Sequence, residues 1–303
     1  MQILKSVDES RNESRSESVG LLILGAGWTS TFLIPLLKRE QIEYAATTRD
    51  GRDGTIQFKF DPKSSDTGPF EVLPLAETVL ITFPLQGEGQ AKHLVSMYES
   101  THKKPDNSKV HFIQLGATSI WTAPKWQDES SPYEHNDSRA IAEDELMACS
   151  EGAVLNLAGL YGNARQPRDW IDRVVKSKSD LKGKGALHVV HGEDVARAIV
   201  ALHRNFTPKK RWLLTDMHVY DWWDLAQDWA IQTLRRVESG VDQGNISTAK
   251  IERQRELLNW VGELMVEEEV KALPRDTSSV GRALDGRGFW KTMKIWPTQG
   301  RIR

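Results

Sequence analysis

The stretch "SPYEHNDSRAIAEDEL", residues 131–146, sets a phenol, an imidazole and a guanidinium close together: Tyr133, His135 and Arg139. An imidazole with a pKa of about 6.5 exchanges a proton at neutral pH, so His135 is a candidate general acid or base. Arg139 stays protonated and can only donate hydrogen bonds, to a ribose or to a substrate carbonyl. Its charge has a second use, an ion pair with Glu143 one helical turn on. Tyr133 stands six residues before Arg139. Six residues advance a helix by about 600°, against about 400° for four, so phenol and guanidinium share a face only if the chain between them loops out.

Upstream, "IQLGATSIW" brings Thr118 and Ser119 to the end of an apolar run, where their hydroxyls either contact a substrate or terminate the strand. Trp121 follows them, and "GLYGNARQPRDW" offers Tyr161 and Arg165; these three are the candidate substrate contacts. The His, Cys and carboxylate residues form no set with metal-ligand spacing, so no metal is expected. No G-x-S-x-G nucleophile elbow occurs either.

The second concentration of chemistry is "GAGWTS". Gly25 permits a tight turn, and Gly27 lets the backbone approach a pyrophosphate at the positive end of the following helix. Ser30 takes the place of a third glycine and is still small, while Trp28 and Thr29 complete the turn. At the end of the next strand, "TTRDG" carries Thr48 and Arg49 where an acid would repel a ribose 2′-phosphate. A guanidinium fork beside hydroxyl donors suits that phosphate, so NADP(H) is expected over NAD(H). Phe83 and Pro84, where "ETVLITFPLQG" stops, are further expected cofactor contacts.

These residues need elements to carry them. Leu21 to Leu24 form a buried strand, and Phe32, Leu33, Leu36 and Leu37 give the next helix an apolar face. Pro35 inside that helix removes a hydrogen bond, at about 3 kcal/mol if uncompensated. "IEYAATTRDG", "TIQFKFD", "ETVLITFPLQG", "KVHFIQLGATSIW" and "GAVLNLAGLYG" supply further strands. A helix starts near Ser138, capped by Asn136 or Asp137, and "LHVVHGEDVARAIVALH" runs from strand to helix. This alternation predicts an α/β fold, a doubly wound parallel Rossmann sheet. Beyond residue 212 the pattern turns helical, with Asp221 and Ser247 as caps, which predicts a smaller, mainly helical C-terminal substrate lobe.

The expected organisation is a disordered tail over 1–18 and a single unit over 19–303. The cofactor part occupies about 19–160 and 186–216, and the substrate lobe about 161–185 and 217–303. Within the 303 residues, 39% hydrophobic and 27% charged is an ordinary globular balance. A net charge of −2 gives no general attraction to nucleic acid or anionic lipid, and no apolar run is long enough for a membrane span. The expected partner is therefore a small molecule. One cysteine, Cys149, and a polar start without an apolar leader core point to a reducing, cytoplasmic setting. The 11 tryptophans are expected both to fill the core and to line a flat ligand pocket.

Taken in order, "LLILGAGWTS", "TVLITFP", "IQLGATSIW", "SRAIAEDEL", "LNLAGLYG" and "HVVHGEDVARAIVAL" resemble the extended short-chain dehydrogenase/reductases, the NAD-dependent epimerase/dehydratase family, over about residues 19–215. The "GAGW" turn resembles an atypical branch. The resemblance implies hydride chemistry in which a Ser or Thr orients the substrate and a Tyr, paired with a Lys four residues on, moves the proton. Here Arg139 falls in the Lys place, His135 in the Tyr place and Ala117 in the Ser/Thr place, so the resemblance does not carry that triad over. It implies a structural turn at His191. An NADP(H)-dependent oxidoreductase with a non-standard catalytic set is expected. The alternatives are a non-catalytic NADP(H) sensor, or an isomerase or lyase on the same fold.

Overall fold

The computed structural model describes residues 18–103, 108–241 and 246–302. Seven parallel strands form the main sheet: β1 (Ser18–Leu24), β2 (Tyr44–Thr48), β3 (Ile56–Gln57), β4 (Leu75–Ile81), β5 (His111–Ala117), β6 (Ala153–Leu157) and β7 (Arg211–Leu214). Their spatial order is 3-2-1-4-5-6-7. β1 opens at Ser18, the last residue of the expected tail; the rest of that tail lies outside the described residues.

Alternation along β1 divides the core in two. Leu21 and Ile23 join Leu33, Leu37 and Ile199 on one face. Leu22 and Leu24 join Leu94, Phe112 and Leu146 on the other. The helices behind those contacts are α1 (Ser30–Arg39) and α4 (Gly192–Arg204) on the first face, α2 (Gln90–Thr101) and α3 (Ser138–Ser150) on the second. All four β1 leucine and isoleucine side chains are fully buried, and each contributes about 2 kcal/mol. β1 is thereby a fixed central strand, and the glycine turn at its carboxyl end inherits that rigidity.

Pro35 sits at an exposed position of α1, as does Thr31, whose carbonyl loses its helical partner. Water can hydrate that carbonyl, which accounts for a proline inside the helix. Asp137, rather than Asn136, caps α3, accepting from the amides of Arg139 at 2.8 Å and Ala140 at 3.4 Å.

"GAVLNLAGLYG" divides at Ala158. Its first half is β6, and Gly159–Tyr161 pairs instead with Val189–His191 in a separate two-stranded sheet. This switch carries Tyr161 and Arg165 off the main sheet. The helical region after β7 packs α5 (Trp222–Glu238) on α6 (Thr248–Glu267), burying Trp223, Trp229, Leu257, Val261 and Leu264. Asp221 caps α5 through the Trp223 amide and is gripped by Arg275, whose guanidinium also lies 3.9 Å over the Trp223 ring. The last helix, α7 (Arg287–Met293), departs from the expected lobe over 217–303: Phe289, Trp290 and Met293 pack beside Trp212 and Leu214 against the main sheet.

Candidate functional site

At the carboxyl ends of β1, β2 and β4 lies a cleft of about 720 Å³. Gly25, Ala26 and Gly27 form one wall, Thr48, Arg49 and Arg52 another, and Thr82, Phe83 and Pro84 a third. Gly25 has φ +92°, and a Cβ there would meet the Thr82 hydroxyl at 2.9 Å, so only glycine makes this turn. Its own amide donates to the Thr47 hydroxyl at 3.0 Å, and the Ala26 amide donates to the Thr47 carbonyl. Thr82 donates to the Gly25 carbonyl from the other side. The turn is clamped between two threonines.

Gly27 differs. A Cβ there would meet nothing closer than 3.9 Å and would occupy the cleft itself. Among the described residues, the amides of Gly27, Trp28 and Thr29 donate to no acceptor. They stand where α1 begins, at the positive end of its dipole. The Ser30 hydroxyl, on a residue only 4% exposed, is also without a partner. Three open amides, an open glycine surface and a spare hydroxyl are what a phosphate requires.

At the β2 end the lining carries Arg49, Arg52 and Lys59, and no Asp or Glu lines the cleft. Arg52 is occupied by Asp50 at 3.2 Å. The Thr48 hydroxyl holds the Asp50 carboxyl below the usual carboxylate range, and Asp50 and Asp53, at 3.2 and 4.0 Å, are both spent on Arg52. Arg49 forms no ion pair among the described residues and is exposed. Phe60 stacks on Phe83 at 6.0 Å, giving the cleft an aromatic wall. Of the tryptophans, Trp121, Trp223 and Trp290 are fully buried in the core, while the exposed Trp126 lines a second cavity of about 650 Å³.

Of the expected cofactor residues, Gly25, Gly27, Thr48, Arg49, Phe83 and Pro84 meet at this cleft, with Trp28, Thr29 and Ser30 directly after its glycine wall. Arg139 does not line it; its guanidinium donates to the Leu115 carbonyl at 3.0 Å. The alternative pairing of Arg139 with Glu143 does not form, because Glu143 is fully buried and pairs with Arg211. Arg52, Lys59 and Phe60 had no motif to mark them. They follow a β3 of only two residues, so "FKFDP" is the lip of the cleft rather than the rest of a strand.

Of the expected catalytic residues, Tyr133 and His135 meet beside Asp144. The Tyr133 hydroxyl donates to Asp144 at 2.7 Å, and its ring lies 4.6 Å below the Arg211 guanidinium. Burial, with the Asp144 bond, raises its pKa above the usual phenol value and keeps the hydroxyl protonated. His135 is exposed, its ring tilted against that of Tyr133 at 4.1 Å, with Nδ1 3.7 Å from Asp144. Thr118 is buried, its carbonyl accepting from Arg282, while Ser119 is exposed.

Trp121 is corrected from a substrate contact to a core residue: it is fully buried and its indole N–H donates to the Ser131 carbonyl. A large ring with its one polar atom satisfied internally has nothing left to offer a ligand. Tyr161 is 7% exposed, its hydroxyl donates to the Gly300 carbonyl at 3.3 Å, and burial pushes its pKa up to about 12. His191 caps α4 by accepting from the Glu193 amide at 3.2 Å, in keeping with the turn role. Arg165 is exposed and lies 4.5 Å over the Trp28 ring.

The sheet of order 3-2-1-4-5-6-7 belongs to a fold that solved structures match over nearly the whole chain. The chain shares its fold with solved epimerase and dehydratase structures. A functionally unknown conserved protein from Silicibacter pomeroyi matches this fold at TM-score 0.59 and 16% identity, covering 94% of this chain and 95% of that one. MoeE5, solved in complex with UDP-glucose and NAD, matches at 0.56 and 13%, covering 93% and 94%. The human epimerase family protein SDR39U1, solved with NADPH, matches at 0.55 and 12%, covering 93% and 96%. Structural neighbours of this fold thus hold either NAD or NADPH. No protein-family model matches the sequence, and no curated protein matches it significantly. Among the described residues, no helix is long and apolar enough to cross a membrane.

Proposed function

We propose that this protein binds NADP(H) in the cleft and acts as an oxidoreductase on a small organic molecule. The observation that supports this most is the lining at the β2 end, with Arg49 unpaired, Lys59 and Arg52 beside it, and no carboxylate. A dinucleotide fits the residues present. The amides of Gly27, Trp28 and Thr29 would hold its diphosphate, the Phe60–Phe83 wall its adenine, and Arg49 with Lys59 its 2′-phosphate. When bound, the nicotinamide would give or accept a hydride.

The chain's own part is to orient and to move the proton. Arg139, pinned to the Leu115 carbonyl of β5, keeps a buried Nε–H without a partner, and its charge would orient a ribose or a substrate carbonyl at that strand end. His135, exposed beside Asp144, or solvent would supply the proton. The bonded Tyr133 hydroxyl would not. The single thiol, Cys149, supports a reducing, cytoplasmic setting.

The same Tyr133–Asp144 bond favours a second reading, a non-catalytic NADP(H) sensor. A panel of aldehydes, ketones and enones separates the two, following loss of NADPH absorbance. Turnover of any member, slowed by His135→Ala, supports the enzyme. Tight NADPH binding with no turnover across the panel supports the sensor.

A further inference from the structure

We infer that Arg165 is a clamp that closes over the diphosphate of the bound dinucleotide, reaching across from the loop that follows Gly159–Tyr161. This rests on the nucleotide reading of the cleft and names a residue that would act in it. Arg165 is held in a tight turn by reciprocal backbone hydrogen bonds with Gly162, at 2.9 and 3.0 Å. That turn is fastened to the start of α1 in two places. Gly162 packs against Phe32 so closely that a Cβ would approach the ring to 3.0 Å, and the Asn163 amide donates to the Thr31 hydroxyl at 3.2 Å. The guanidinium lies over Trp28, 4.5 Å from the ring centre.

The charges in this corner are unbalanced. Arg165 pairs with no carboxylate among the described residues, and it stands beside the positive end of α1, where three amides are open and the Ser30 hydroxyl is unpartnered. A cation next to a helix N-terminus is repelled by the dipole unless an anion lies between them. The Trp28 face offsets part of that repulsion and fixes the guanidinium plane. A diphosphate carries two negative charges, one for the amides and one for Arg165. A guanidinium also matches the paired oxygens of a phosphate.

The test compares two ligands by calorimetric titration of the full chain: NADPH, and adenosine 2′,5′-bisphosphate, which keeps the 2′-phosphate but has no diphosphate bridge. Arg165→Ala is expected to weaken NADPH about tenfold, the range for a lost charge-assisted hydrogen bond, and adenosine 2′,5′-bisphosphate less than about twofold. Arg165→Lys should recover part of the loss for NADPH. Unchanged NADPH affinity in Arg165→Ala would overturn the clamp, and would do so with the cofactor reading intact if Arg49→Ala still weakens NADPH. Equal losses for both ligands would also overturn it. Wild-type protein that binds neither ligand would defeat the cofactor reading itself, and the clamp with it.

Discussion

The Tyr133 hydroxyl donates to Asp144 at 2.7 Å, and the same Asp144 oxygen accepts from the Arg211 guanidinium at 2.8 Å. Arg211 also pairs with buried Glu143, which in turn accepts from Asn156 at 2.8 Å. The phenol nearest the expected catalytic position is therefore the outer member of a polar network that ties α3 to β6 and β7. It is bonded to the half-buried Asp144 carboxylate, and a hydroxyl used that way is withdrawn from proton transfer.

Tyr133→Phe follows from this. The variant should lose about 1 kcal/mol of stability, the net value of one hydrogen bond, as measured by urea unfolding. Any NADPH-dependent turnover should stay within about twofold of wild type, since hydroxyls outside the reacting set leave the barrier unchanged. Abolished turnover with an intact fold would return Tyr133 to the chemistry.

Gly27→Val separates binding from folding. Its Cβ would enter open cleft space, whereas one at Gly25 would strike Thr82. Gly27→Val should fold with a melting temperature near wild type and lose NADPH binding by more than about tenfold. Gly25→Val should fail to reach a stable fold, through backbone strain and the clash together. Retained NADPH affinity in Gly27→Val would mean that the dinucleotide does not lie on this turn.

Arg49→Ala should weaken NADPH about tenfold while leaving NADH within about twofold, because only the former carries the 2′-phosphate. Parallel losses for the two cofactors, read by the same titration, would remove the assigned role.

Acid should destabilise the protein through buried histidines. His188 is held neutral: burial pushes its pKa down from 6.5 to about 4, and its Nε2 accepts from the Leu284 amide at 3.2 Å. Between those two values the unfolded chain binds a proton that the folded chain refuses. Stability is thus complete above pH 6.5 and is lost as pH falls toward 4, by about 3 kcal/mol at most from this residue. His191 and His203, also lowered by burial, act in the same direction. Urea unfolding across this range should show a shallower slope in His188→Gln; an unchanged slope would contradict the assignment.

Much of this was legible in the sequence because it depends on local rules. "LLILGAGWTS" forces a strand, a glycine turn and a helix, and Arg49 stands where β2 ends, so cleft and cation follow from spacing alone. What was not legible depends on long-range contacts. Trp121 looks like a ligand contact until Ser131 folds back to accept its N–H. Glu143 looks like a partner for Arg139 until Arg211, far along the chain, takes it. The division of "GAVLNLAGLYG" needs Val189–His191 to draw off its second half, which no window of the sequence contains. Lys59 entered the cleft for the same reason, since β3 is stopped short by pairing with only two residues of β2.

The most direct test is calorimetric titration of the wild-type chain with NADPH and with NADH. NADPH is expected to bind about tenfold tighter or better, through phosphate contacts that NADH cannot make. Equal affinities, or no binding of either, would contradict it.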